Sequence, residues 1–403
     1  IFAGNLKTSL FLHHLVLVII FIVILLINNG CFVLQVTSQL AENAGKNLIM
    51  SPLSAEIVLA MLSLGSQGET LKELNTALYL PNSDFVSILN SIQGVTLNVA
   101  NKVFVKEGDK YVLAPAFKKD TVEIFSSEAE NVDFSKNVAA ASLINNWVED
   151  KTNKRIKDLI SAGDLSDDTR LVLINAIYFK GTWKDKFEAS LTKKKDFFIT
   201  ATDKKPVDMM HKTAKFNYAE NSELDAKILE LPYVGNEMSM VIILPNKVDG
   251  LAELEEKLAQ KSTDLKSLVQ NLYQAEVTVA LPKFRIESTI DLNEVLPKLG
   301  MSRIFDGRAE LGGLLANDEP LVVSKAIQKA FIEVNEEGAE AAAATGKSNA
   351  WVMGLLSAVC YMLLCFLLNF RSYFGRTKFA TTVNNIDLTF FNIAIILISP
   401  NPK

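Results

Sequence analysis

The sequence predicts an α+β fold, because strand-like and helix-like segments follow one another without the regular alternation that builds a doubly wound parallel sheet. Three segments rich in β-branched and aromatic residues predict strands: 169–183, 238–245 and 275–287. Within the first of them, residues 171–174 are all apolar, which predicts a strand covered on both faces. The chain has no internal repeat that would favour a solenoid.

The first predicted helix begins at Ser51 and Pro52. A serine hydroxyl can cap a helix, and proline fits its first turn because no helical partner is needed there. Ile57, Met61 and Leu64 follow at helical spacing. The pattern predicts a buried helix.

A second predicted helix covers residues 143–160. Ile144, Trp147, Ile156 and Leu159 recur at roughly one-face spacing among many charged residues. This pattern is typical of a helix that lies on a surface and covers something apolar.

Composition excludes several classes of protein. A hydrophobic fraction of 49% over 403 residues can fill a sizeable core, so the chain is not intrinsically disordered. The net charge of −5 argues against binding to a phosphate backbone, and no basic block is interleaved with aromatic residues. We therefore expect no nucleic-acid partner.

Catalytic patterns are also missing from the sequence. It contains no GxSxG elbow, no GxxxxGK[ST] loop and no GxGxxG after a strand. His211 is the one histidine outside the leader, and a polar role at a surface or sheet edge is favoured for it over catalysis. The cysteines have neither a disulfide framework nor metal-ligand spacing: Cys31, Cys360 and Cys365. We expect no enzyme activity, no metal and no cofactor.

Both ends of the sequence are unusually apolar. Residues 15–27 are uninterrupted apolar residues, so we interpret 1–30 as a signal peptide, with an uncleaved signal anchor as the alternative. Residues 350–368 contain no charge and precede basic residues, which is the pattern of a membrane span. Secretion is the preferred interpretation, and membrane anchoring is its alternative.

The stretch FIEVNEEGAEAAAATG, residues 331–346, changes character abruptly. It begins as a strand-like segment, passes through two acids and a glycine, and continues with almost no side chains. A local helical turn over residues 340–345 is one interpretation, because alanine is the best helix former. The other interpretation depends on the sequence blocks around it.

Several blocks, in order, resemble the serpins, the serine protease inhibitors, and insect members in particular. They are NLIMSPLSAEIVLAMLSLGSQGET (47–70), INNWVEDKTNKRIKDLI (144–160), LINAIYFKGTWKDKF (173–187), LPKFRIESTIDLNEVLPKLGMSRIF (281–305) and SKAIQKAFIEVNEEGAEAAAAT (324–345). The resemblance implies a serpin domain over residues 31–346, with three β-sheets, about eight to nine helices and a mobile reactive loop. It also implies an extracellular, monomeric inhibitor of a serine protease.

The alanine-rich stretch resembles the hinge of the serpin reactive loop. In the family, a protease attacks the loop, and the hinge then enters the main sheet as a new strand while the acyl-enzyme persists. Bulky or charged side chains would clash or be desolvated on entry, whereas alanines avoid this cost. The hinge residues that the resemblance implies are Glu336, Glu337, Gly338, Ala339, Glu340, Ala341, Ala342, Ala343, Ala344 and Thr345. Ala339, where insertion starts, is small, which fits an inhibitory member.

The resemblance also implies two groups of residues that control the sheet. Ser51 and Ser54 resemble the hydroxyls of the shutter beneath the opening strands, and Asn175 resembles their amide partner. Gln328 stands where many members have a histidine, and its amide can both donate and accept a hydrogen bond. Trp183 resembles the breach tryptophan at the top of the sheet. Capping or ordinary core packing is the alternative role for each of these residues.

After Gly346 the likeness to the family ends. Counting from the hinge places the reactive bond at Val352–Met353, which suggests an elastase-like or chymotrypsin-like target. Residues 347–403 form a divergent apolar tail in place of the end of the loop and the C-terminal strands. A retained intron or misjoined exon explains this tail best. A non-inhibitory serpin, a membrane-tethered binding protein and a defective splice product are the alternatives to an inhibitor.

Overall fold

The computed structural model describes residues 18–20, 47–78, 95–198, 204–236, 238–248, 250–259, 265–317, 319–339, 386–389 and 394–398. Seven α-helices lie in these ranges: α1 (Pro52–Ser63), α2 (Gly68–Ala77), α3 (Pro115–Phe125), α4 (Asn137–Lys151), α5 (Leu251–Ala259), α6 (Leu265–Gln270) and α7 (Leu292–Val295). They accompany two β-sheets. The predicted α+β class is therefore confirmed.

The first sheet has six strands in the order β11-β12-β13-β5-β3-β4. Their bounds are β3 (Val95–Lys106), β4 (Ala129–Val132), β5 (Leu171–Thr182), β11 (Phe284–Asp291), β12 (Val323–Asn335) and β13 (Gly338–Ala339). The nine residues 171–179 of β5 are all buried, as expected for a strand covered on both faces. This strand lies at the centre of the functional site described below.

The second sheet has the order β14-β10-β7-β8-β9-β15-β1-β2, with β6 paired to β7. Its strands are β1 (Val18–Ile20), β2 (Leu48–Met50), β6 (Lys193–Phe198), β7 (Lys204–Asn221), β8 (Ala226–Pro232), β9 (Ser239–Pro245), β10 (Tyr273–Pro282), β14 (Ile386–Thr389) and β15 (Ala394–Ile398). The resemblance implies three sheets. Among the described residues the strands form two hydrogen-bonded sheets. The 18-residue β7 is the reason, because it pairs with β6 and β10 along most of its length and with β8 at its end, which joins these strands into one sheet.

Helix α1 forms where the sequence predicts it. Ser51 is its N-cap, the Ser51 hydroxyl accepts a hydrogen bond from the Ser54 N–H at 3.2 Å, and Pro52 occupies the first turn. Residues 54–62 of the helix are all buried. The helix contacts β3 and β5 and lies in the main apolar core.

The second predicted helix is shorter than the sequence suggests. Helix α4 ends at Lys151, and residues 152–160 were wrongly predicted to be helical. Asn153 and Lys154 have positive φ angles of 50° and 59°, which a right-handed helix does not allow. Ile156 and Leu159 are nevertheless buried in the predicted apolar cluster, because the chain turns back across the sheet. We call residues 152–165 the return segment.

The segment 275–287 contains two strands rather than one. Strand β10 ends at Pro282 and β11 begins at Phe284, and the two strands belong to different sheets. Lys283 lies between them. This junction carries the lysine to the top of the first sheet.

Both apolar ends of the chain contribute strands to the second sheet. Ala394–Ile398 pairs antiparallel with β9, and Ile386–Thr389 pairs parallel with β10. Val18–Ile20, within the predicted signal or anchor segment, lies between β15 and β2. In the described ranges no helix is long and apolar enough to cross a membrane. The predicted span at residues 350–368 lies outside those ranges.

Candidate functional site

The central feature of the first sheet is the contact between β5 and β12. These strands are parallel neighbours from the pair Leu171 and Val323 to the pair Tyr178 and Phe331. We call this contact the seam. Above it the strands separate, and β13 lies between them.

Strand β13 lies within the first part of the predicted hinge, two residues after Glu336. Gly338 pairs with Asn335 of β12 and with Thr182 of β5, while Ala339 pairs with Val334 and Gly181. Both pairings are antiparallel. The chain therefore turns at Glu336 and Glu337 and enters the opening above the seam as a short middle strand.

Gly338 is required at this turn by both conformation and space. Its φ angle is +139°, which side-chain-bearing residues rarely adopt. A Cβ atom would lie 2.0 Å from the Gly181 carbonyl oxygen and 2.8 Å from the Trp183 nitrogen. No larger residue fits without displacing the backbone of β5.

The carboxylate of Glu336 ties the hinge to the second sheet. It accepts a hydrogen bond from the Thr192 hydroxyl at 2.8 Å and pairs with the Lys283 ammonium at 2.8 Å. Burial alone would raise its pKa, but the hydrogen bonds from Lys283 and Thr192 and the positive charge of Lys283 outweigh burial. The pKa of Glu336 is therefore lower than its ordinary value.

Trp183 closes the top of the opening. Its side chain is buried, its indole N–H donates to the Asn335 carbonyl at 3.0 Å, and its backbone N–H donates to the Glu337 carbonyl at 2.9 Å. The ring stacks on Tyr233 with centroids 4.7 Å apart and planes 7° apart. The predicted breach residue thus contacts the hinge directly.

A buried polar cluster lies beneath the seam. It contains the four residues that the sequence predicted for the shutter, together with Asn101 of β3; all are at most 2% exposed: Ser51, Ser54, Asn101, Asn175 and Gln328. They come from four elements, namely the N-terminus of α1, β3, β5 and β12. We call this group the polar cluster.

Both the oxygen and the nitrogen of the Gln328 side-chain amide form hydrogen bonds in the polar cluster. Its Oε1 accepts from the Ser51 N–H at 2.9 Å, and its Nε2 donates to the Ser51 carbonyl at 2.8 Å and to the Asn175 side-chain oxygen. Gln328 is also the register partner of Asn175 across the seam. The amide therefore joins the two strands that would have to separate.

Asn175 connects the seam to the rest of the polar cluster. Its amide nitrogen lies 2.8 Å from the Ser54 carbonyl and contacts the Ser54 hydroxyl and the Asn101 side-chain oxygen. Sequence reasoning missed Asn101. The available signal was an amide in the otherwise largely apolar strand segment VANKVFV, residues 99–105.

A strand inserted at the seam would reach this cluster. Neighbouring strands lie about 4.8 Å apart, so a strand between them increases the separation to about 9.6 Å. The direct hydrogen bond between Gln328 and Asn175 would then break. We therefore expect the cluster to favour the closed sheet.

Helix α4 and the return segment cover the seam from outside. Ile144 and Val148 of α4, with Ile156 of the return segment, pack on an apolar cluster that includes Ile327 and Phe331 of β12. The Asn145 side chain joins helix and segment by accepting from the Ile160 N–H at 3.0 Å and donating to the Ile160 carbonyl at 2.8 Å. Widening the seam would disturb this cover.

Some predicted residues lie outside the described ranges. They are Glu340, Ala341, Ala342, Ala343, Ala344, Thr345, Val352 and Met353. His211 lies in β7, half-buried, with Nδ1 3.0 Å from the Met209 carbonyl oxygen. Within the described residues no group of three or more potential ligands could hold a metal ion.

The chain resembles known proteins over most of its length. A family model described as Serpin (serine protease inhibitor) matches residues 28–363. Antichymotrypsin-2 of Bombyx mori is 42% identical over 341 residues, covering 83% of this chain and 89% of that protein. Antitrypsin of Bombyx mori is 43% identical over 331 residues, covering 80% and 82%. The crystal structure of Serpin48, a highly specific serpin in the insect Tenebrio molitor, gives a TM-score of 0.73 at 38% identity and covers 79% and 88%.

These matches define the class of protein: an α+β protein built on the serpin fold. The chain belongs to the serpin family, and its similarity to insect members confirms the resemblance that the sequence motifs indicate. The domain boundaries at residues 31 and 346, and the roles of the individual site residues, remain predictions.

We expect the polar cluster to stabilise the closed sheet measurably. In Gln328→Met the volume is similar, but the Ser51 N–H and the Asn175 oxygen lose a buried partner. The free energy of unfolding should fall by about 2–4 kcal/mol, measured by urea denaturation. Thr289→Val, exposed on the neighbouring strand β11, is the matched control and should change little. A loss below about 0.5 kcal/mol in Gln328→Met would show that the amide only fills space.

We expect the Glu336 carboxylate to stabilise the hinge in a pH-dependent way. Its pKa is lowered in the folded protein, so its contribution is fully present above the unfolded-state pKa and is lost as the pH falls through the folded-state pKa. The melting temperature of Glu336→Gln should therefore lie below that of the unmodified protein near neutral pH, and the gap should close in acid.

The control is Glu337→Gln, because Glu337 is half-exposed and its ion pair with Lys186 lies at the surface. Its melting temperature should differ little from the unmodified protein at any pH. A gap for Glu336→Gln that stays constant from about pH 7 to about pH 3 would contradict the assigned role of the charge.

Proposed function

We propose that this protein is a single-use inhibitor of a serine protease. A protease would attack the loop that follows the hinge as it attacks a substrate, and insertion of the hinge would trap the acyl-enzyme. The observation that carries this proposal is β13, because Gly338 and Ala339 already occupy the middle-strand position in antiparallel register with both neighbours.

Continued insertion along the seam is energetically reasonable. One strand ladder, between β5 and β12, is broken, and two new ladders form in its place. About ten newly paired residues, at a net ~0.5–1.5 kcal/mol per hydrogen bond, give on the order of 10 kcal/mol. This energy is comparable with the stability of a whole domain.

The register also gives a reason for the alanines. Ala339 is the direct partner of Val334, whose side chain lies in the main core, and directly paired residues share a face. If the strand continues, residues 341 and 343 fall on this same face. Alanine at both positions lets the strand pass over a packed interior without a clash or a buried charge.

The names of similar proteins support protease inhibition and leave the target open. Relatives are called antichymotrypsin and antitrypsin. From Val352 and Met353 we infer a chymotrypsin-like or elastase-like target. We further propose that the inhibitor is extracellular and monomeric and is not itself an enzyme, with membrane anchoring through the apolar ends as the alternative location.

The decisive experiment exposes the purified chain to chymotrypsin, elastase and trypsin. We expect a covalent adduct that survives hot detergent with at least one enzyme. We also expect loop-cleaved protein to melt on the order of 20 °C higher than intact protein, because insertion adds on the order of 10 kcal/mol. Cleavage without an adduct, at an unchanged melting temperature, would favour a non-inhibitory or defective chain. Extraction that requires detergent would favour the tethered form.

A charge on the inward face of the hinge should turn the inhibitor into a substrate. In Ala341→Arg the guanidinium would have to be buried at a cost of several kcal/mol, so insertion should be slower than hydrolysis of the acyl-enzyme. The adduct yield should fall by more than about tenfold, since about 1.4 kcal/mol corresponds to that factor. Glu340→Arg, one position earlier on the opposite face, is the matched control, because the continued register places it opposite the partly exposed Glu333. Equal loss in both variants would contradict the register.

A further inference from the structure

A compact group of lysines lies on one face of the β6–β7 hairpin. Directly opposed residues of an antiparallel pair share a face, and the register pairs Lys193 with Met209, Lys195 with Val207, and Phe197 with Lys205. Lys193, Lys195 and Lys205 therefore stand on the same side of the hairpin. We call this side the lysine face.

The two faces of the hairpin differ in charge balance. On the opposite face each lysine forms an ion pair with an aspartate: Lys194 with Asp208 at 2.9 Å, and Lys204 with Asp196 at 2.5 Å. The register positions of the lysine face on β6 and on residues 205–209 contain no acid. All three of its lysines are exposed, and none forms an ion pair with a described residue.

The next acid on this side of the sheet is far away. Along β7 on the same face, the next acid is Glu276 of β10, which lies opposite Lys215. Lys193, the nearest lysine of the face, lies opposite Met209, six residues from Lys215, or about 20 Å at about 3.3 Å per residue. The lysine face carries three positive charges, and a chain of net charge −5 therefore carries −8 elsewhere, since −5 − 3 = −8.

Packed apolar side chains lie among the lysines on the same face of the hairpin. Phe197, Met209 and Ala280 form a small buried cluster, and Val207 packs against it. Because the strand ladder and this cluster hold the backbone of the hairpin in place, the three ammonium groups extend from fixed positions around an apolar patch. Low-dielectric surroundings also strengthen their field.

The lysine face begins next to the hinge. Thr192, whose hydroxyl donates to Glu336, immediately precedes Lys193. The backbone N–H of Lys283, whose ammonium pairs with Glu336, donates to the Asp208 carbonyl at 2.8 Å. Lys195 is thus three residues, or about 10 Å along the strand, from a side chain that contacts the hinge.

We propose that the lysine face is a second docking surface for the target protease and binds an acidic patch on that enzyme. This inference rests on the proposed function. A protease at Val352–Met353 is joined to Ala339 by at most 13 or 14 residues, so it lies within about 50 Å of the hinge. The three charges span about 13 Å, which suits two or three carboxylates of a folded enzyme better than a long polyanion.

The test compares the unmodified protein with the triple variant Lys193→Gln, Lys195→Gln, Lys205→Gln. The control triple variant, Lys72→Gln, Lys118→Gln, Lys119→Gln, changes the net charge equally at exposed lysines of α2 and α3. Melting temperatures establish that all three proteins fold alike. The single variant Lys195→Gln replaces the triple variant if the triple variant is unstable.

Each protein is mixed with two chymotrypsins, one of acidic and one of basic isoelectric point. The rate constant for consumption of intact chain, by adduct formation and cleavage together, measures docking. The fraction of product that is adduct measures trapping. The two quantities separate this inference from the proposed function.

We expect the unmodified protein to be consumed faster by the acidic enzyme. At low salt, the acidic enzyme should consume the triple variant about 10-fold to 100-fold more slowly than the unmodified protein. At high salt, the two proteins should be consumed at the same rate. The adduct fraction of the triple variant should match that of the unmodified protein. The control variant should keep both the rate and the preference.

Several outcomes would overturn the docking surface. They are an unchanged rate and salt dependence in the triple variant, a loss confined to the adduct fraction, or an effect that appears only with added heparin. The second would assign the lysines to the hinge, and the third to a sulfated polysaccharide. Rapid, lysine-dependent consumption without any adduct would support docking and overturn trapping. No consumption by either chymotrypsin would overturn the docking surface, and the proposed function would be overturned as well only if elastase and trypsin also formed no adduct.

Discussion

The seam between β5 and β12 is the constraint on which the rest of this molecule depends. In the proposed mechanism, two parallel strands remain paired in the intact protein and separate on insertion, because the incoming strand exchanges one ladder for two. A purely apolar seam would offer no directional contact to keep the strands in register. The polar cluster supplies it, since Gln328 and Asn175 meet across the seam and are joined to α1 and β3.

The hinge and the cover act on the same seam from two directions. At the top, Gly338 brings the chain against the backbone of Gly181, and Trp183 holds the turn through two hydrogen bonds. On the outer face, α4 and the return segment pack on residues of β5 and β12, so a wider seam changes their contacts too. Closure is therefore a property of several elements, and any local change in one of them is felt along the strands.

Electrostatics at the top of the sheet join the hinge to the second sheet. The Glu336 carboxylate accepts a hydrogen bond from the Thr192 hydroxyl, just before β6, and forms an ion pair with Lys283 at the junction of β10 and β11. The lysine face starts at the next residue, so a binding event there and a movement of the hinge share a structural connection. Among the described residues of the hairpin, both acids, Asp196 and Asp208, fall on the face opposite the three lysines, as strand alternation dictates.

Local chemistry and sequence blocks determined the family, the α+β class, the helix capped by Ser51, and the residues Ser54, Asn175, Gln328 and Trp183, because these signals depend on residue type and order. They did not reveal that α4 ends at Lys151, because Ile156 and Leu159 continue the helix-like apolar spacing although the backbone is no longer helical there. They also missed Asn101 and the partners of Glu336. Those depend on contacts between residues more than 50 positions apart, such as Asn101 with Asn175 and Glu336 with Thr192, which only the packing of strands and sheets brings together.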